Sequence, residues 1–214
     1  MVGLIIVNLV FGQVQNKTDF NKELIAQLDT IHQEDQKYRL RIDELLRKSR
    51  SETENIELIK LHELMNKQDS INLLNIEKIL NEYGWLGKDV IGEQGNATLF
   101  LVIQHSDLET QRKYLPMMRE ALKVGNIKSD DFALLEDRIA MGQGNRQIYG
   151  SQIIIDDETG TFYVYPLIEP EKVNERRAEV GLGSIEEYVK KVGINWNVKK
   201  HKERTKKIES NREK

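Results

Sequence analysis

An imidazole, an amide and a carboxylate fall within four residues at Gln104, His105 and Asp107, with Gln111 one helical turn further on. Imidazole is the side chain that moves protons most readily near neutral pH, and a neighbouring carboxylate orients the ring and raises its basicity. That is the chemistry of a general base. Each residue also has a structural use, since Asp107 precedes a helix and suits its N-cap, and a histidine at a helix end can bond a carbonyl. Asp35 is a second group of interest, because it fills the apolar position of a stripe running Leu24, Leu28, Ile31, Tyr38, Ile42 and Leu45, with Gln36 beside it and Arg39 four residues on. Asp137 and Arg138 likewise interrupt the face carrying Leu134 and Met141. Charges on core-facing stripes need a reason, either a reaction or a buried ion pair that fixes helix packing.

The glycine-flanked segment GQGNRQIYGSQ adds Gln143, Gln147, Tyr149, Ser151 and Gln152. Amides and hydroxyls recognise rather than react, so this segment reads either as turn and strand hydrogen bonding or as the lining for a polar ligand such as a sugar or peptide. Two functional readings follow. In the first the chain is a hydrolase or lyase: His105 is the base, Asp35, Asp107 and Asp137 orient it, and Arg39 or Arg138 meets an anionic group. Gln36, Gln104, Gln111, Gln147, Tyr149 and Gln152 then hold a polar substrate. In the second the same residues form a buried network that specifies packing in a binding or scaffold module. No metal or cofactor is expected: there is no cysteine, no histidine spacing of a metal site, and no phosphate-loop, dinucleotide or nucleophile-elbow motif.

The elements that must position these residues are mostly helices. Period-3.6 patterns predict a long amphipathic helix over Phe20 to Arg50, a second through Ile56 to Met65, and a third starting at Asp69 or Ser70 and ending at Gly84. Residues 84–96 carry four glycines in thirteen positions and read as an irregular loop pinned by Trp85. A buried helix follows over Ala97 to His105. Ser106 or Asp107 then caps a helix to Val124 that contains Pro116, and Ser129 or Asp130 caps another reaching Gly142 or Gly144. Near residues 147–168 the period changes to two around DDETG, the pattern of a small β-hairpin. Two short helices close the pattern, one stopping at Gly181 and one opening at Ser184 with Glu187 as a capping box. The fold class is therefore mainly α, a multi-helix domain over residues 17–194 with one hairpin.

Residues 195–214 carry eight Lys or Arg against three Glu from Trp196 on, without apolar periodicity, and read as an unordered basic tail. The whole chain of 214 residues has a net charge of −3, which predicts no nucleic-acid partner. Its first twelve residues, MVGLIIVNLVFG, are too short an apolar run to span a bilayer and suit the core of a signal peptide. Export to the periplasm or beyond is the expectation, with no stable membrane span after cleavage. An uncleaved N-terminus tethering the domain to a membrane is the alternative.

DQKYR at 35–39, YGWLG at 83–87, VIQHSD at 102–107, LLEDRIAMGQGNRQIYGSQ at 134–152 and NERRAEVGLGSIEEY at 174–188 together resemble a widespread bacterial domain family of unknown function. Its corresponding stretches run DQ with a following Arg, GW, VQHAD, a DR pair, Q-x-YGTQ and ERR-x-x-x-GL. Ser106 stands for the usual Ala, Ser151 for Thr and Leu86 for a common Pro. The resemblance implies no activity, substrate or cofactor. It does single out Asp35, Gln36, Arg39, Gln104, His105, Asp107, Asp137, Arg138, Gln147, Tyr149 and Gln152.

Overall fold

A computed structural model describes the backbone of residues 3–46, 51–156 and 159–212, with the side chains of α1 described from Lys22 onward. The expected export signal over residues 1–12 lies outside the side chains so described. Among the described residues the fold is mainly helical with one two-stranded antiparallel sheet, and the chain divides into two compact units, Met1–Ile127 and Lys128–Lys214. No described helix is long and apolar enough to cross a membrane.

The first unit holds α1 (Gly3–Leu46), α2 (Glu52–Tyr83), α3 (Lys88–His105) and α4 (Leu108–Lys123). The apolar stripe of α1 is what drives its packing: Leu24, Leu28, Ile31, Ile42 and Leu45 are all buried. They meet α2 and α3, which bring Ile76, Ile79 and Leu80, and Ile91, Leu99, Val102 and Ile103. Each such side chain contributes about 1.5–3 kcal/mol relative to exposure. The helices come close at Gly95, where an added Cβ would stand 3.1 Å from Leu28 Cδ1.

The expected break between a second and a third helix does not occur. Ser70 donates back to the Asn66 carbonyl, and Asp69 turns to Arg39, so neither caps a new helix and α2 runs through. A true capping box sits upstream, at Ser51 and Glu54. The glycine-rich loop is shorter than its composition suggests, because α3 already begins at Lys88 and only Gly92, at φ 74°, interrupts it. Asp107 is the N-cap of α4, accepting from the Thr110 amide at 2.8 Å, and Pro116 stays inside that helix on its exposed side.

The second unit holds α5 (Ser129–Gly142), β1 (Ile153–Ile155), β2 (Phe162–Val164), a 3₁₀ turn at Pro170–Lys172, α6 (Val173–Glu179), α7 (Ile185–Lys190) and α8 (Val198–Arg212). The strands pair Ile153 with Val164 and Ile155 with Phe162, so the hairpin occupies a narrower span than the period-two pattern. Val164, Leu167, Val173, Ile185 and Val189 form its buried cluster.

Where the sequence suggests an unordered tail, the chain forms α8. Asn197 accepts from the Lys200 amide at 2.9 Å as an N-cap. The helix is held by contacts that a search for apolar periodicity does not register. Trp196 packs its ring 5.0 Å from that of buried His201, Arg204 lies over Tyr163, and Arg146 binds Glu209 through two bonds of 2.7 and 2.8 Å.

Candidate functional site

The first unit gathers its polar residues around Asp35. This carboxylate is 2% exposed and accepts from three side chains: His105 Nδ1 at 3.0 Å, Gln36 Nε2 at 2.7 Å, and Arg39 Nε at 3.4 Å. Arg39 reaches across to α2, where Nη2 meets Asp69 Oδ1 at 2.5 Å and Nη1 meets Met65 Sδ at 3.1 Å. Burial pushes the Asp35 carboxyl up, but the hydrogen bond and charge of His105 and the Arg39 guanidinium outweigh it and leave the group below its usual value.

An ionised carboxylate beside Nδ1 fixes the tautomer of His105. Nδ1 carries the proton, and Nε2 carries the lone pair that can take another. The ring is fixed in place as well as in tautomer, because it ends α3 at a junction tied by Gln111. The Nε2 amide of that residue, 4% exposed, donates to the Gln104 carbonyl at 3.0 Å and to the Ser106 carbonyl at 2.9 Å. Nε2 of His105 has no bond among the described residues, and the side chain is 19% exposed. The arrangement is a buried carboxylate holding a partly open imidazole. Asp107, an exposed cap held below the usual carboxylate range by its Thr110 bonds, belongs to the junction rather than to this pair.

In the second unit Asp137 meets no charged partner in the bonds that define it. Fully buried, its carboxylate accepts the backbone N–H groups of Ile148 at 2.6 Å, Tyr149 at 2.9 Å and Ser151 at 2.9 Å. Gln147, also fully buried, completes the same loop: its side chain donates to the Tyr165 and Gln152 carbonyls and accepts from the Gln152 amide at 2.8 Å. Gln152 donates to Ser151 Oγ at 3.0 Å. Gly150 stands at φ 75° in the middle, where an added Cβ would lie 2.6 Å from Ile185 Cδ1. Tyr149 is half-buried, with its phenol pushed up by burial and then by nearby carboxylates, and Arg138 is exposed.

Arg177 supplies the outer brace. It is 2% exposed, donates to the Gly183 carbonyl at 2.6 Å and the Tyr149 carbonyl at 2.8 Å, and stacks 4.9 Å from the ring centre of Tyr188. The Tyr188 hydroxyl in turn donates to the Ser151 carbonyl at 2.8 Å. Arg176 donates to the Ile148 carbonyl at 2.9 Å. These groups satisfy a loop that has no ladder of its own.

A family model matches residues 18–201, a span that contains all of these motifs. The chain belongs to the family of unknown function DUF6624. No curated protein and no solved structure gives a match to set beside it. The DUF6624 span takes in the Asp35–His105 pair, the Asp137 loop and the brace around Arg177.

Asp69, Asn72, Arg176, Arg177 and Tyr188 are further polar residues in or beside these two clusters that the sequence pattern does not single out. Asp69 looked like a helix cap, and nothing in one sequence shows that Arg39 crosses to it. Asn72, 1% exposed, lies on the same face of α2 as Met65 and Asp69; it accepts from Gln68 at 3.0 Å, and its Nδ2 has no partner among the described residues. Arg177 and Tyr188 belong to the NERRAEVGLGSIEEY motif, whose paired arginines were the available signal. No described group of three or more His, Cys, Asp or Glu side chains is placed to hold a metal ion.

Proposed function

We propose that the Asp35–His105 cluster is the active site of an exported enzyme, a hydrolase or lyase, in which His105 Nε2 is the general base. The observation that carries this reading is the bond from Nδ1 to a buried carboxylate, with Nε2 unbonded among the described residues on a side chain that is 19% exposed. Asp35 orients the ring and stabilises the imidazolium that forms when Nε2 takes a proton. Gln36 holds Asp35 through its Nε2, and Gln104 precedes His105 on α3.

The charges around the base restrict that substrate. The guanidinium of Arg39 is occupied by Asp35, Asp69 and Met65, so it is not a docking point for an anion. Two carboxylates against one guanidinium leave the neighbourhood of a neutral His105 slightly negative, which favours an uncharged or cationic polar substrate. The test is a screen of chromogenic neutral esters, amides and glycosides with the wild-type chain, His105→Gln and Asp35→Asn. The reading expects turnover of at least one class, lost by more than about a hundredfold in His105→Gln. Absence of turnover in every class, or turnover indifferent to His105, overturns it.

A second reading, a binding or scaffold module, is favoured by the Asp137 loop, whose candidate recognition residues are turned onto their own backbone. In that case the unit presents a rigid surface to a polar ligand or peptide, and the Asp35 cluster serves packing. Loss of stability on replacing His105, with no reaction found, is the outcome that selects it.

A further inference from the structure

A groove of about 170 Å³ lies in the second unit between β2, the segment 194–197 and the first turns of α8. It takes no part in the site proposed above. Val164, 3% exposed, and half-buried Ile194 give it an apolar lining, to which Trp196 and the half-exposed ring of Phe162 add flat aromatic surface. Lys200 and Arg204, four residues apart and therefore on one face of α8, bring two cations to the same groove. None of its described lining residues is acidic.

The cations are unequally engaged. Lys200 is exposed and forms no ion pair among the described residues. Arg204 lies with its guanidinium carbon 4.4 Å from the ring centre of Tyr163, and its Nη1 is turned inward, 3.8 Å from Asp156 Oδ2 and without a hydrogen bond among the described residues. Yet 37% of the side chain is exposed, so its outer part remains open. Asn195 and Asn197 add neutral amides. A volume well below that of a drug-sized pocket, with a flat apolar wall and cations on one side, matches a small planar acid.

We propose that this groove is a binding site for a small aromatic carboxylate, its ring against Trp196 and Phe162 and its carboxylate toward Lys200 and Arg204. His201, which also lines the groove, is held neutral at pH 7 by burial and by Arg146, so the two cations on α8 are what select for negative charge.

Benzoate and its neutral isostere benzamide are the probes. Trp196 is one of two tryptophans, so the full chain carrying Trp85→Phe reports binding through the fluorescence of Trp196 alone. Isothermal titration on the unmodified chain gives the same comparison if that background folds poorly. The expected result is saturable benzoate binding in the millimolar range or tighter, and at least about tenfold weaker benzamide binding, the loss of one charge-assisted contact. Arg204→Gln and the surface change Lys200→Gln should each weaken benzoate by about fivefold or more. Unsaturable benzoate binding, equal affinity for benzamide, or affinity unchanged by both substitutions overturns the site.

Discussion

Asp35 and Asp137 are both buried aspartates on core-facing helical stripes, and they are partnered by opposite kinds of group. Asp137 is saturated by the backbone N–H groups of its own loop, donors that never change protonation. Asp35 is bonded to three side chains, an imidazole, an amide and a guanidinium, and the imidazole is partly open to solvent. The contrast shows that a misplaced carboxylate is not in itself a functional signal. What distinguishes the two is whether the partner is fixed backbone or a side chain that can be reached.

The contrast breaks most visibly at Asp137. Replacing it by Ala strands three buried amides, and denaturant unfolding followed by Trp196 should show a loss of about 4 kcal/mol. A loss under about 1 kcal/mol would mean that the carboxylate is not what holds residues 148–151.

Acid sharpens the same comparison. The folded pKa of His201 is lowered to about 4 from 6.5, so the unfolded chain binds the extra proton first, and stability is full above about pH 6.5 and falls as pH drops toward 4. The total is on the order of 3 kcal/mol. The Asp35 carboxyl is also lowered, so its contribution is present above its ordinary value of 3.8 and is lost only below that. A pH titration monitored by Trp196 in the second unit and Trp85 in the first should therefore show the Trp196 signal weakening at the higher pH. The reverse order would contradict the assigned environments.

Smaller still is the effect of Arg177→Lys. A lysine keeps the charge but cannot span the Gly183 and Tyr149 carbonyls with a rigid fork, and about 2 kcal/mol should be lost in the second unit's unfolding. His105→Ala should cost least, under about 1 kcal/mol in thermal or denaturant melting, because Asp35 retains Arg39 and Gln36. A loss approaching that of Asp137→Ala would make the imidazole a packing element and remove the ground for calling it a base.

Much of this was legible in one sequence, and the remainder was hidden for identifiable reasons. The helical stripe with Asp35 as its flaw, the Asp107 cap and the hairpin each have a local signature of period or turn chemistry. The unbroken α2 has none, since Asp69 and Ser70 carry the residue types of a cap and only a partner on another helix shows that they do not act as one. By hydrophobic periodicity alone the basic C-terminal segment reads as unordered. Its helix is secured instead by a tryptophan, a neutral histidine and arginine pairs, none of which leaves an apolar period. In the site, chemistry was legible and engagement was not: type and spacing pick out Arg39, Gln147 and Gln152, but only coordinates show that their donors are already committed.

The Asp137 carboxylate has one more consequence, for how the second unit breathes. Segments outside helices and sheets ordinarily trade their amide hydrogens with water quickly, yet those of Ile148, Tyr149 and Ser151 point into a sealed acceptor. In deuterated solvent these three should lag behind the ends of the neighbouring helices, so that an irregular stretch of chain retains its protons as long as the most persistent core of the unit.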